Sequence, residues 1–160
     1  MGNIFAGSEV LQLGIEIEKN GKAFYEAVAK KTKNSVAKQK LLFLAAEEDK
    51  HIATFNGLLE SVTRYEPAES YPGEYVAYMH ALASEQIFTQ KNKGEEIAQK
   101  TKSDKEAIEL GIGFEKDSII FYEGMKRVVP EDGHKIVDKI IAQEQNHLRL
   151  LSELKNNLSS

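Results

Sequence analysis

The sequence predicts an all-α protein: a four-helix bundle made of one helix hairpin used twice, its halves joined by a long crossover that contains a short helix. Three observations predict it. Long stretches rich in Ala, Leu, Glu and Lys carry apolar residues at helical spacing, with only three prolines and no strand-like alternation to compete. The segment GIEIEKNGKAFYE, Gly14 to Glu26, aligns without gaps on GIGFEKDSIIFYE, Gly111 to Glu123, at an offset of 97 residues. Two Glu-x-x-His motifs, Glu48/His51 and Glu144/His147, recur at an offset of 96, so one hairpin is repeated with one residue of slack in its turn.

The first long helix is expected over roughly 5 to 31. Its inward face carries Leu11, Gly14, Ile17, Glu18, Phe24 and Tyr25. The second runs over roughly 35 to 63, capped by Asn34 or Ser35. Spacings of 4 and 3 place Ala37, Leu41, Leu44, Glu48, His51, Phe55, Leu58 and Val62 on one face of it. Segment 64 to 103 then holds two prolines and the Tyr-rich stretch Tyr71, Tyr75, Tyr78. A helix of about 25 residues is about 37 Å long, and about forty residues can travel back along it, so the second and third long helices can run parallel. Within the crossover, Gly73 to Leu82 is expected to form a short helix packing Tyr75, Met79 and Leu82 on the bundle.

The third long helix is expected over roughly 104 to 129, where Ser103 with Glu106 makes a capping-box pattern. Its inward residues are Gly111, Glu115, Ser118, Tyr122 and Met125. The fourth runs over roughly 131 to 157, with Pro130 suited to its first turn. Its stripe is Gly133, Val137, Ile140, Glu144, His147, Leu151, Leu154 and Leu158.

At 160 residues with 41% hydrophobic content, the chain is expected to form one domain over 1 to 160 with a core that needs no staples. A net charge of −4 and no basic stripe argue against nucleic acid as a partner. Neither 18 consecutive apolar residues nor a secretory-type start is present, so the reading is a cytoplasmic protein with no membrane partner. With no cysteine, any metal must be held by oxygen and imidazole nitrogen.

The chemistry lies in the inward polar residues. Four helices present Glu18, Glu48, His51, Glu115, Glu144 and His147, which is one Glu from each of two helices and Glu-x-x-His from each of the other two. An ionised carboxylate at a core position without a partner is too costly to be an accident of packing. Residues three apart on a helix are neighbours, so each Glu and His can ligate one ion while the second Glu oxygen reaches another. The set suits two iron ions; manganese or zinc could also occupy it. The competing reading, two buried Glu-His hydrogen bonds in a plain bundle, leaves two further inward carboxylates without partners. Tyr25 and Tyr122 lie seven residues beyond Glu18 and Glu115, where a phenol can hydrogen-bond a ligand carboxylate across the bundle. A third motif copy, Glu131/His134, has no repeat counterpart and reads as a capping or solvated pair at a helix start. His80 reads as a surface or packing histidine.

From Gly14 to Leu154 the chain resembles the rubrerythrin branch of the ferritin-like di-iron carboxylate proteins. The resemblance is carried by Glu18 with Phe24-Tyr25, Glu48-Asp49-Lys50-His51, Glu115 with Phe121-Tyr122, and Glu144-Gln145-Asn146-His147. It implies a non-haem di-iron centre that reduces hydrogen peroxide or oxygen, or oxidises ferrous iron, in a homodimer. It also implies that Glu48 and Glu144 bridge the ions, Glu18 and Glu115 are terminal, and His51 and His147 each cap one. An iron-binding, storage or sensing module without turnover is the alternative. Two departures stand out. Without cysteines there is no rubredoxin domain, so an external electron donor is implied. Ser118 also replaces the extra carboxylate that the family carries three residues after the third-helix ligand.

Overall fold

The computed structural model describes residues 7 to 62 and 73 to 158. The helices are α1 (Gly7–Lys31), α2 (Ser35–Ser61), α3 (Glu74–Glu85), α4 (Lys93–Lys100), α5 (Asp104–Met125) and α6 (Glu131–Leu158), with 3-10 turns at Ile87–Thr89 and Lys126–Val128. No strand occurs among the described residues. Helices α1, α2, α5 and α6 form the bundle. No described helix is long and apolar enough to cross a membrane.

Cross-bundle contacts fix the direction of each helix. Glu18 on α1 meets Tyr122 on α5 while Tyr25 meets Glu115, so these helices run antiparallel. His51 meets Gln143 while Leu58 faces Gly133, which makes α2 and α6 antiparallel as well. Each hairpin also reverses the chain, so α2 and α5, diagonal across the core, run the same way, as the long crossover allows.

Capping explains where α2 and α5 begin. Asn34 accepts from Ala37 N at 3.0 Å and starts α2. Ser103 accepts from Glu106 N at 3.1 Å, while Glu106 reaches back to Lys102 N at 3.0 Å, one residue further out than a standard capping box. The clearest differences from expectation lie around Pro130. The third long helix stops at Met125, because Val129 must be extended ahead of Pro130 and the chain tightens into a 3-10 turn that buries Val128. Pro130 stands one residue before α6, where its carbonyl accepts from Gly133 N at 2.8 Å.

The crossover contains a short helix over the expected stretch, with Tyr75 and Met79 buried and Leu82 half-buried. It also contains a second one, α4, beyond the single short helix expected. Its ends are held from α1: Asn20 accepts from Lys93 N and Gly94 N, both at 2.9 Å, and Lys31 donates to the carbonyls of Ala98 and Thr101. A Cβ at Gly94 would lie 2.0 Å from the Asn20 carbonyl oxygen, so only glycine permits this approach. Tyr71 lies outside the described residues.

Candidate metal centre

Both polar stripes run through the middle of the bundle. On α2 every stripe residue from Ala37 to Val62 is buried, and on α6 every one from Gly133 to Leu154. Apolar neighbours at spacings of 3 and 4 drag Glu48, His51, Glu144 and His147 inside with them. Glu18 and Glu115 enter in the same way from α1 and α5. All six are at most 3% exposed.

The six converge as two overlapping groups. Glu18, Glu48, His51 and Glu144 offer ligand atoms within 4.8 Å of one another, and so do Glu48, Glu115, Glu144 and His147. Glu48 and Glu144 belong to both. His51 Nδ1 lies 2.7 Å from Glu144 Oε1, 3.2 Å from Glu48 Oε2 and 3.3 Å from Glu18 Oε2. His147 Nδ1 lies 3.5 Å from Glu48, 3.6 Å from Glu115 and 3.7 Å from Glu144. The imidazole rings stack at 5.5 Å and 19°.

One Nδ1 proton cannot satisfy three carboxylates. Among the described residues, five buried side-chain atoms lack a hydrogen bond of acceptable geometry. Four belong here: Glu48 Oε2, Glu115 Oε2, Glu144 Oε1 and His147 Nδ1. Glu144 Oε1 is among them despite its short distance to His51, because the angle is poor. Buried donor atoms that lie close together without hydrogen-bonding one another are arranged as ligands of shared cations are. This donor set of carboxylate oxygen and imidazole nitrogen fits two divalent ions.

Electrostatics without metal show the same strain. Burial, reinforced by the charges of Glu144, Glu18 and Glu115, pushes the Glu48 carboxyl well above its ordinary range. Burial and Glu144 push Glu115 up to about 8. Burial works against a charged imidazole, yet contacts with Glu115, Glu144 and Glu48 raise His147 to about 12. His51 is raised for the same reason by Glu144, Glu18 and Glu48. Burial also opposes ionisation of Glu144, but bonding from Glu115, His147 and His51 outweighs it and holds this carboxyl low. A cluster that must share protons to stay buried is one in which cations can replace them.

Two tyrosines tie the arrangement across the bundle. Tyr25 Oη donates to Glu115 Oε1 and Tyr122 Oη to Glu18 Oε1, so the phenol of each half-repeat grips the carboxylate of the other. Burial raises both phenols well above their ordinary range, and they remain donors at any physiological pH. His134 stands apart, its Nε2 3.2 Å from the Val129 carbonyl, and Glu131 and His80 are exposed.

Sequence reasoning missed Gln143. Its Oε1 lies 2.9 Å from His51 Nε2 and accepts that proton, leaving Nδ1 turned to the carboxylates. The signal was its place one residue before an inward Glu, on the flank of the stripe beside the neighbouring helix. Asn20 was missed as well, because its partners lie about seventy residues away in sequence.

A family model described as Rubrerythrin matches residues 9 to 155. Among solved structures, the chain is similar to a candidate ferritin-like diiron-carboxylate protein from Thermotoga maritima, with 26% identity, a TM-score of 0.68 and 98% of each chain covered. No curated protein sequence matches it.

Proposed function

The chain belongs to the rubrerythrin family, and from that premise we propose that it is a dinuclear iron protein that reduces hydrogen peroxide or oxygen with electrons from an external donor. The observation that carries the reading is the pair of overlapping ligand groups sharing Glu48 and Glu144, with buried atoms left without hydrogen bonds. In this reading Glu48 and Glu144 would be shared by both ions, Glu18 and His51 would complete one site, and Glu115 and His147 would complete the other. Two iron ions there supply two one-electron changes side by side, the number needed to reduce a peroxide to water.

The surrounding residues prepare that chemistry. Gln143 holds a proton on His51 Nε2, so Nδ1 is the nitrogen that would give up its proton to a cation and ligate it. Tyr25 and Tyr122 fix one oxygen each of Glu115 and Glu18 and leave the other oxygen for a cation. The apolar layers above and below, Leu44 and Phe55 on α2 and Ile140 and Leu151 on α6, keep bulk water from the centre.

Anaerobic loading with ferrous iron followed by hydrogen peroxide tests the proposal. Fast oxidation that a chemical reductant can cycle repeatedly is the expected result. A single oxidation that never cycles would instead mark a storage or sensing module.

A further inference from the structure

The crossover closes a small space beside the same carboxylates. Between α1 and α5 lies a cavity of about 10 Å³ lined by Gly21, Glu48, Glu115, Ser118, Phe88 and Phe114, among others. That is room on the order of one water molecule. It exists because residue 21 has no side chain: a Cβ there would lie 3.6 Å from Glu48 Cγ, in ordinary contact, and would occupy the space. The Ser118 hydroxyl is turned back onto its own helix, donating to the Phe114 carbonyl at 2.9 Å.

Two of the lining residues are aromatic. Phe88 and Phe114 stack at 3.8 Å and 27°, and Phe24 meets Phe114 edge-on at 5.2 Å. Phe114 is half-buried and Phe88 fully buried. Phe88 belongs to the crossover, and its backbone is bolted to α1. Asn20, two residues past Glu18, donates to the carbonyls of Phe88 at 2.8 Å and Gln90 at 2.7 Å while accepting from Lys93 N and Gly94 N. A buried amide with all four bonds made fixes its partners firmly, so the backbone that carries Phe88 is held in place.

We infer that Phe88 and Phe114 are a size filter over this carboxylate face, with Gly21 keeping room for the ligand beside Glu48. Ligands no wider than a water molecule, such as hydrogen peroxide, fluoride and the rod-shaped azide ion, pass it, and organic hydroperoxides and aromatic acids do not. The inference rests on the dinuclear centre proposed above.

The test uses the full chain loaded with ferric iron. Azide binding is followed by its ligand-to-metal absorption band, and fluoride and benzoate are added as competitors. In the unmodified protein, fluoride displaces azide and benzoate does not. In Phe88→Ala, benzoate should compete about tenfold better or more, the scale of steric discrimination by a pocket wall. Gly21→Ala, which fills the cavity without touching backbone, should weaken azide about tenfold with the iron content unchanged. If Phe88→Ala does not fold, Phe114→Ala gives the same reading from the more exposed ring. Benzoate that competes equally in the unmodified and opened proteins, or azide that binds Gly21→Ala as tightly as before, overturns the filter alone. A chain that takes up no iron overturns the dinuclear reading with it.

Discussion

Glu-x-x-His occurs three times in this chain, and the bundle centre and the start of α6 make opposite use of it. Glu48/His51 and Glu144/His147 sit at consecutive stripe positions, buried among four carboxylates. Glu131/His134 has the same spacing, but Glu131 is exposed in a first helical turn and His134 faces a backbone carbonyl. The three-residue interval makes two side chains neighbours and nothing more. Depth in the bundle supplies the difference, because only there does a carboxylate lose its water and need a cation, a proton or a donor in exchange.

The sharpest way to break this comparison is to remove a shared residue. Glu48→Ala takes a ligand from both groups, so uptake should fall from two ions per chain to one or none. Stabilisation by metal should fall with it: a ligand at about a thousand times its Kd stabilises by about 4 kcal/mol. For a chain of this size that is on the order of 10 °C in Tm. Differential scanning calorimetry with and without chelator reads the effect, and a Tm indifferent to chelation in the unmodified protein contradicts the account.

Acidity should act strongly on the centre. Without metal, His147 keeps its proton up to about pH 12 and Glu115 up to about pH 8. His51 and Glu48 are raised too. Binding metal expels these protons, so affinity rises with pH through the neutral range, about tenfold per pH unit for each proton released. Glu144, held low, releases none there. Calorimetric titration in buffers of different ionisation enthalpy should count more than one proton released per chain. A count of zero would show that the ligands are already deprotonated.

Smaller effects belong to the residues that orient the ligands. Gln143→Leu should weaken metal binding about 10- to 100-fold by freeing the His51 tautomer, and Gln143→Glu, which keeps an acceptor, should restore most of it. Tyr25→Phe and Tyr122→Phe each remove a hydrogen bond to a buried carboxylate. Urea unfolding of the metal-free protein should show a loss of about 1 to 3 kcal/mol for each, the cost of leaving a buried group unsatisfied. The double substitution Glu131→Ala/His134→Ala comes last: iron content should not change, and stability should drop by no more than about 1 kcal/mol, the worth of an acid at a helix start.

The sequence was legible where a periodic rule met a periodic object. Stripes at 3 and 4 located the inward residues of α2 and α6, and the offsets of 96 and 97 paired the hairpins that bring Glu18 and Glu115 to the same place. It was not legible where stability comes from afar. Helix α4 has eight residues, too few to hold themselves, and stands on Asn20 and Lys31 of α1. Gln143 could be seen as polar, but its meeting with His51 depends on how α2 and α6 face one another. The stack of Phe88 on Phe114 depends on the crossover, whose path no local pattern specifies.

The central claim is that depth and convergence, and not motif spacing, create a site for two ions. It is tested most directly by anaerobic titration of the metal-free protein with ferrous iron, counting ions bound per chain. The account predicts two per chain, with both lost or one retained in Glu48→Ala and two retained in Glu131→Ala/His134→Ala. Fewer than two in the unmodified protein, or unchanged uptake in Glu48→Ala, would contradict it.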